Sequence, residues 1–315
     1  MLLPPKVKIR DKQRGMVIVV ALFIVALVAT LSYVMIERLT RDTKRTMLII
    51  RNVESQYLVN GAVDWAKDVL VQDWQKKAAN KIVDQMPQVS PSASENAYVI
   101  TSTIYDMQAR YNINNVTTKE TIADFIRLLQ AVLPKLSAKQ AQDIAQAVFE
   151  WISVPANTNQ SAKYYLSLHP PYRPRHAFFF DVSELRLVKG VTPEIFQALQ
   201  PYIVALPPPT SLNVQTMLPQ AMVTLSKSMT LASAKVVENI RRQAPFVSVD
   251  AFMNVDVVKN HHITKDKLTD VSDYFLVETK VSIEKQVTVI YTLLKRMVKD
   301  KQVMVNIVWQ SKGSW

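Results

Sequence analysis

Residues Met16–Ile36 form an unbroken run of 21 residues without a single charge, and the segment ahead of them is basic. As a helix this run would be roughly 31 Å long at about 1.5 Å per residue, which matches the hydrocarbon core of a bilayer. One membrane pass follows. Lys6, Lys8, Arg10, Lys12 and Arg14 precede it against one acid, Asp11. By the positive-inside rule the N-terminus stays cytoplasmic and the remainder of the chain crosses. The working part is therefore expected outside the cytoplasm.

With 315 residues, 49% of them hydrophobic, the chain can bury a real core, and its length suggests two domains beyond the span. Cysteine is absent, which excludes disulfides, thiolate zinc sites and cysteine nucleophiles. The four glycines, Gly15, Gly61, Gly190 and Gly313, stand too far apart for a phosphate-cradling loop, a dinucleotide fingerprint or a nucleophile elbow. The formal charge of +12 raises nucleic acid or anionic membrane as partners. Part of that charge sits in the leader and just after the span. The rest is scattered among acids as a solvated basic surface.

After Ile36 the helical period continues through Leu39, Met47, Ile50, Val53, Tyr57, Val59, Val63, Trp65, Val69 and Leu70. The membrane helix is expected to extend as an amphipathic one, with its apolar stripe packed on a globular body and Arg38, Arg41 and Lys44 in water. Gly61 would mark a bend or a close contact. The Pro- and Ser-rich stretch Met86–Asn96 reads as a loop.

From Ala97 to Ile113, alternation and β-branched residues indicate strand. From Thr118 the period becomes helical, with Ile122, Phe125, Ile126, Leu128 and Leu129, then Ala141, Ile144, Ala147, Val148 and Trp151. A further helical group follows His169-Pro170-Pro171-Tyr172-Arg173-Pro174. It runs to about His262 and is cut by Pro207-Pro208-Pro209. Tyr274–Ile283, Val287–Leu294 and Val303–Trp309 return to a period of two and read as three antiparallel strands.

The order predicts an α+β fold with an all-α domain planted in it. The expected organisation is a basic leader over 1–15, a transmembrane helix over 16–36, a first part of the β-bearing domain over 37–115, an α-helical insertion over 116–268 and C-terminal strands over 269–315.

Two echoes of a helix-hairpin-helix unit lie in the helical block. The run 183–194 predicts a helix, a turn at Gly190 and a second helix capped by Thr192 with Pro193 at its first position. Ser233–Phe252 repeats this with Val236, Val237, Ile240 and Phe246, with Pro245 and without glycine. Such units can hold DNA phosphates through turn amides, but the usual second glycine is replaced by Thr192. Packing against protein is the better reading. A membrane-anchored DNA-binding or DNA-uptake protein is the alternative. His169, His176, His261 and His262 lack metal-ligand spacing, the adjacent pair reads as part of a solvated loop, and no catalytic constellation is visible, so the chain does not read as an enzyme.

The Gly15–Met16 junction admits two readings. It is an uncut signal anchor, or it is a cleavage site placed before the apolar core, which would remove the leader and leave the helix attached. The leader ending Lys-Gln-Arg-Gly, the helix beginning Met16-Val17-Ile18-Val19-Val20-Ala21-Leu22, the motif 181–194 and the run Leu212-Asn213-Val214-Gln215-Thr216 together resemble the K-type minor pseudopilins of type II secretion systems.

That resemblance implies a type IV pilin-like fold interrupted by a large α-domain. It implies cleavage after Gly15 by prepilin peptidase and methylation of the new amine on Met16. Pilin-like subunits usually carry a glutamate at the fifth position after the cut, whereas this chain has Val20, as K-type members do. A carboxylate in lipid is tolerated when paired, and the family pairs it with a neighbour's terminal amine. Its absence is expected of a tip subunit that helps nucleate a periplasmic pseudopilus for export of folded proteins.

The implied location is the inner membrane, single-pass, with the C-terminal part periplasmic. Implied partners are the I- and J-type minor pseudopilins, the major pseudopilin, prepilin peptidase, the inner-membrane platform, secreted substrate and the outer-membrane channel, with no nucleic acid. K-type relatives also resemble calcium-binding proteins through acidic clusters after a Trp and before a Tyr-Tyr pair. In this chain Trp151 is followed by Ile152-Ser153-Val154-Pro155-Ala156-Asn157, and Tyr164-Tyr165 is preceded by Gln160-Ser161-Ala162-Lys163. Those residues lack the carboxylates calcium prefers, so no calcium, no other metal and no cofactor is expected.

Overall fold

The computed structural model describes residues 12–78, 86–95, 98–153, 159–283, 286–299 and 302–313. In chain order the elements are α1 (Lys12–Ala78), β1 (Gln88–Val89), β2 (Ala93–Glu95), β3 (Tyr98–Asp106), β4 (Tyr111–Asn112), α2 (Lys119–Val132), α3 (Ala138–Ile152), α4 (Asn159–Leu166) and α5 (Pro193–Leu199). There follow β5 (Ile203–Val204), β6 (Leu212–Asn213), α6 (Pro219–Met222), α7 (Leu231–Gln243), α8 (Val249–Met253), α9 (Asp256–Lys259), β7 (Leu268–Thr269), β8 (Tyr274–Ile283), β9 (Gln286–Lys299) and β10 (Gln302–Lys312). Contacts gather them into two compact units, Met1–Tyr57 and Leu58–Trp315.

In the second unit β1, β3, β8, β9 and β10 form an antiparallel sheet in that order, with β2 also on β3. The C-terminal part of α1 covers one face of it. Val59, Val63, Ala66 and Leu70 recur at helical spacing and pack with Ile104, Phe275, Val277, Ile290 and Leu294. Each valine, leucine, isoleucine or phenylalanine among them contributes roughly 1.5–3 kcal/mol when fully buried. At one end of the sheet the opposite face is covered too, because Val204 and Leu206 of the helical block pack on Leu276 and Leu293. That two-sided cover is why Tyr274-Phe275-Leu276-Val277 is buried without alternation.

Strands β3 and β8 are neighbours in the sheet, with Asp106 opposite Phe275, although the chain between them runs from 107 to 273. That intervening stretch carries its own core, which includes Phe125, Leu129, Ile144, Val148, Leu185, Leu199, Met222, Val237 and Phe252. Its helices start where side chains satisfy free first-turn amides. Thr118 and Ser137 form capping boxes with Thr121 and Gln140 at the starts of α2 and α3. Thr192 and Ser248 cap α5 and α8.

Polar groups fasten the two crossings between sheet and helical block. Asp106 is buried and accepts from the Gln108 amide at 2.8 Å, Ser272 Oγ at 2.7 Å, Asn213 Nδ2 at 3.1 Å and Thr216 Oγ1. Gln108 donates through Nε2 to Ser211 O at 2.8 Å and accepts from the Asp273 amide at 2.6 Å. Burial pushes the Asp106 carboxyl up, against the hydrogen bonds from Thr216, Ser272 and Gln108 and the charge of Arg296.

Several expectations need correction. The stretch Met86–Asn96 contains β1 and β2 rather than only a loop, because both pair with β3, and beyond β1 Ser90 donates its amide to Ser102 O at 2.8 Å and accepts from the Ser102 amide through Oγ at 2.9 Å; Asn96 lies outside the described residues. The apolar stripe of α1 is covered only from Val59 onward, while Leu39, Met47, Ile50, Val53 and Tyr57 are exposed. Gly61 stands inside continuous helix with nothing within 4 Å of a Cβ placed there, so no close contact requires it. The His261–His262 pair is not wholly solvated: His261 is half-buried with Nδ1 at 2.9 Å from Ser228 Oγ, and only His262 is exposed.

Candidate membrane anchor and processing site

The first unit presents Met16–Ile36 as helix, and every residue of it is exposed, including Phe23 at 68%. The most apolar 18-residue window of the helix has a mean hydropathy of 2.8 and none of it is buried. Such a surface is unfavourable in water over its whole length, and its length fits a bilayer. Thr30 is compatible with lipid because its hydroxyl donates to Ala26 O at 2.9 Å and Leu27 O at 2.8 Å. The helix is a single-pass membrane anchor.

Gly15 lies in the first turn of α1, exposed, with nothing within 4 Å of a Cβ placed there. First-turn amides have no intrahelical acceptor, no acid occupies this turn, and glycine is a poor helix former. The Gly15–Met16 bond thus lies at the end of the first helical turn. Val20 is exposed on the apolar surface one turn on, and Met16–Ile36 contains no carboxylate. The leader residues 1–11 lie outside the described residues.

The hairpin motifs fold as paired short helices, with one difference: the first arm of the 183–194 unit, Val182–Leu187, is a 3-10 helix, capped by Asp181 through the Ser183 amide at 2.7 Å. Gly190 has φ +84°, and a Cβ placed there would stand 3.1 Å from Ile144 Cγ1 of α3. The hairpin turn is therefore packed on protein. The adjoining groove of about 570 Å³ is lined by Lys139 and Lys189 and equally by Asp143 and Glu150, so it offers no uniform positive field to a phosphate backbone.

The sequence region compared with a calcium loop is only partly visible, since 154–158 lie outside the described residues. Trp151 packs edge-on to Tyr165 at 5.6 Å, Ser153 O is taken by His176 Nδ1 at 2.9 Å, and Lys189 Nζ stands 4.8 Å over the Tyr164 ring. A cation beside neutral oxygens does not suit calcium. Among the described residues no group of three or more His, Asp or Glu side chains could hold a metal.

Residues 109–208 match the family described as type II secretion system (T2SS), protein K. Across the longer alignment, the type II secretion system protein K of Pectobacterium carotovorum subsp. carotovorum is 25% identical over 295 residues, covering 87% of this chain and 90% of that protein. The protein K of Pseudomonas aeruginosa is 26% identical over 322 residues, covering 94% and 92%. Over most of its length the chain is similar to type II secretion system protein K. Its fold is similar to a chain in the crystal structure of the GspK-GspI-GspJ complex from the enterotoxigenic Escherichia coli type 2 secretion system, with a TM-score of 0.69 at 19% identity, covering 86% of this chain and all of that one. The α+β architecture, a long helix on an antiparallel sheet with a helical block between β3 and β8, is the pilin-like fold with an insertion.

Sequence reasoning missed Asp73 and Arg296. Arg296 lies two residues beyond the expected end of its strand, in phase with the inward positions Thr288, Ile290, Thr292 and Leu294. Extending the alternation by one step would have found it.

Proposed function

We propose that the chain is a minor pseudopilin of type II secretion, a non-enzymatic subunit at the tip of the pseudopilus that helps nucleate assembly for export of folded proteins. The observation that carries this reading is Val20: a lipid-exposed helix without any carboxylate has nothing to offer the terminal amine of a subunit above it. The helical block 107–273 adds bulk that supports the same position. The leader is cut after Gly15, Met16 becomes the methylated N-terminus, and the globular part lies in the periplasm with the N-terminus cytoplasmic before cleavage. Partners are the I- and J-type minor pseudopilins, in keeping with the complex in which the similar chain was crystallised. Prepilin peptidase, the major pseudopilin, the inner-membrane platform, the outer-membrane channel and secreted substrate are further partners. No calcium takes part.

The full chain, produced with the I- and J-type proteins and purified from membranes, should carry both as a complex. Failure to recover either would refute the partnership. In the same preparation, N-terminal mass analysis should find a methylated Met16 only when prepilin peptidase is present; a chain starting at Met1 under both conditions would refute processing. The nucleic-acid reading would require salt-sensitive DNA binding, which the mixed charge of the Gly190 groove disfavours.

A further inference from the structure

Beyond Ile36 the helix carries Arg38, Arg41 and Arg45, all exposed. Their i, i+3, i+7 spacing puts them on one face, while Leu39, Met47 and Ile50 lie on the other side. Arg41 is paired with Glu37 at 3.1 Å. Among the described residues Arg38 and Arg45 have no hydrogen-bond or ion-pair partner. Thr40, Thr43 and Thr46 return their hydroxyls to Ile36 O, Leu39 O and Asp42 O, so none of them competes for the guanidinium groups.

The position of this stripe identifies what it meets. At about 1.5 Å per residue the three Cα atoms stand roughly 3, 7–8 and 13–14 Å past Ile36 along the helix axis. Headgroups add about 5–8 Å to each side of a 30 Å hydrocarbon core. Helical side chains lean toward the N-terminus, so on this side of the span long arginines lean back toward the lipid. Arg38 and Arg41 reach headgroup depth, and Arg45 approaches it from above. Cations on this flank also work against the orientation bias of the leader, so insertion does not account for them.

We infer that Arg38, Arg41 and Arg45 form a clamp for anionic phospholipid headgroups in the leaflet opposite the leader. The guanidinium forks donate to phosphate oxygens, and each adds an attraction that holds the helix at a fixed depth. Arg41 exchanges its exposed contact with Glu37, which is worth little in water, for phosphate. This goes beyond the pseudopilin reading and depends only on the membrane anchor.

The test uses the full chain in nanodiscs of phosphatidylcholine with phosphatidylglycerol, and counts the lipids retained per chain by native mass spectrometry. Wild type should retain phosphatidylglycerol preferentially. R38Q/R41Q/R45Q, which keeps good helix formers, should lose that preference by on the order of tenfold. The lysine triple variant should keep most of it, and K139Q/K163Q/K235Q, with the same loss of charge in the helical block, should keep all of it. Equal retention of the two lipids by wild type would overturn the inference. So would unchanged preference in R38Q/R41Q/R45Q, and if that variant instead lost the I- and J-type proteins, the stripe would be a protein contact.

Discussion

Arg296 of β9 and Asp73 of α1 stand 3.7 Å apart with each side chain only 1% exposed. The guanidinium also donates to Ser272 O at 2.7 Å and lies 4.8 Å from the Phe275 ring and 5.4 Å from the Trp74 ring. This pair fixes the C-terminal part of α1 to the sheet. Replacing Arg296 by Met should destabilise the fold by about 3–5 kcal/mol, because a carboxylate is left buried, with Lys76 at 3.0 Å offsetting part of the loss. D73L/R296M should recover most of the difference. Urea unfolding of the full chain in detergent measures both; a single variant as stable as wild type would show that the pair does not hold the helix.

Asp106 gathers four donors at the mouth of the insertion. Asp106→Ala strands them and should cost more than about 3 kcal/mol, with Asp106→Asn intermediate because one acceptor oxygen remains. The sign with pH follows from burial, which raises the folded pKa. The carboxyl's contribution is fullest below the ordinary carboxylate value and is lost as pH rises through the folded value. Asp106→Asn should flatten that part of the stability profile, measured by denaturation across pH.

Gly190 combines φ +84° with a wall at Ile144. Gly190→Ala should cost about 1–2 kcal/mol from the backbone alone, plus a further strain from the 3.1 Å approach. If I144V/G190A is no more stable than G190A, the steric part of this account is wrong.

Gly15→Val should leave the leader attached when prepilin peptidase is present, as read from the N-terminal mass. The free energy of unfolding should stay within about 0.5 kcal/mol of wild type, since a Cβ at position 15 meets nothing within 4 Å. A correctly trimmed Gly15→Val chain would show that the glycine does not set the cut.

The parts of the fold written in local pattern were legible in the sequence. Thr118, Ser137 and Thr192 start helices where their side chains can reach an amide, and β9, β10 and the second half of β8 announce themselves by alternation. The anchor was legible because hydropathy needs no partner to be read. What depends on distant chain was not. Ser90 gives no sign that Ser102 will receive it, and the apolar residues of α1 do not reveal that cover begins at Val59 rather than Leu39. Asp106 is one position inside the stretch 97–113 read as strand, and nothing local marks it, because its partners Asn213 and Ser272 lie 107 and 166 residues away.

Those separations bear on the order in which the molecule acquires its shape. Strand β3 cannot pair with β8 until the residues from 107 to 273 have been made and folded back. As an open loop that stretch would impose roughly 4–5 kcal/mol of closure entropy. A helical block that condenses first, from contacts close in sequence, shortens the effective loop to the distance between Asp106 and Ser272. Closure of β3 on β8 and completion of the sheet by β10 both wait for the part of the chain that is made last.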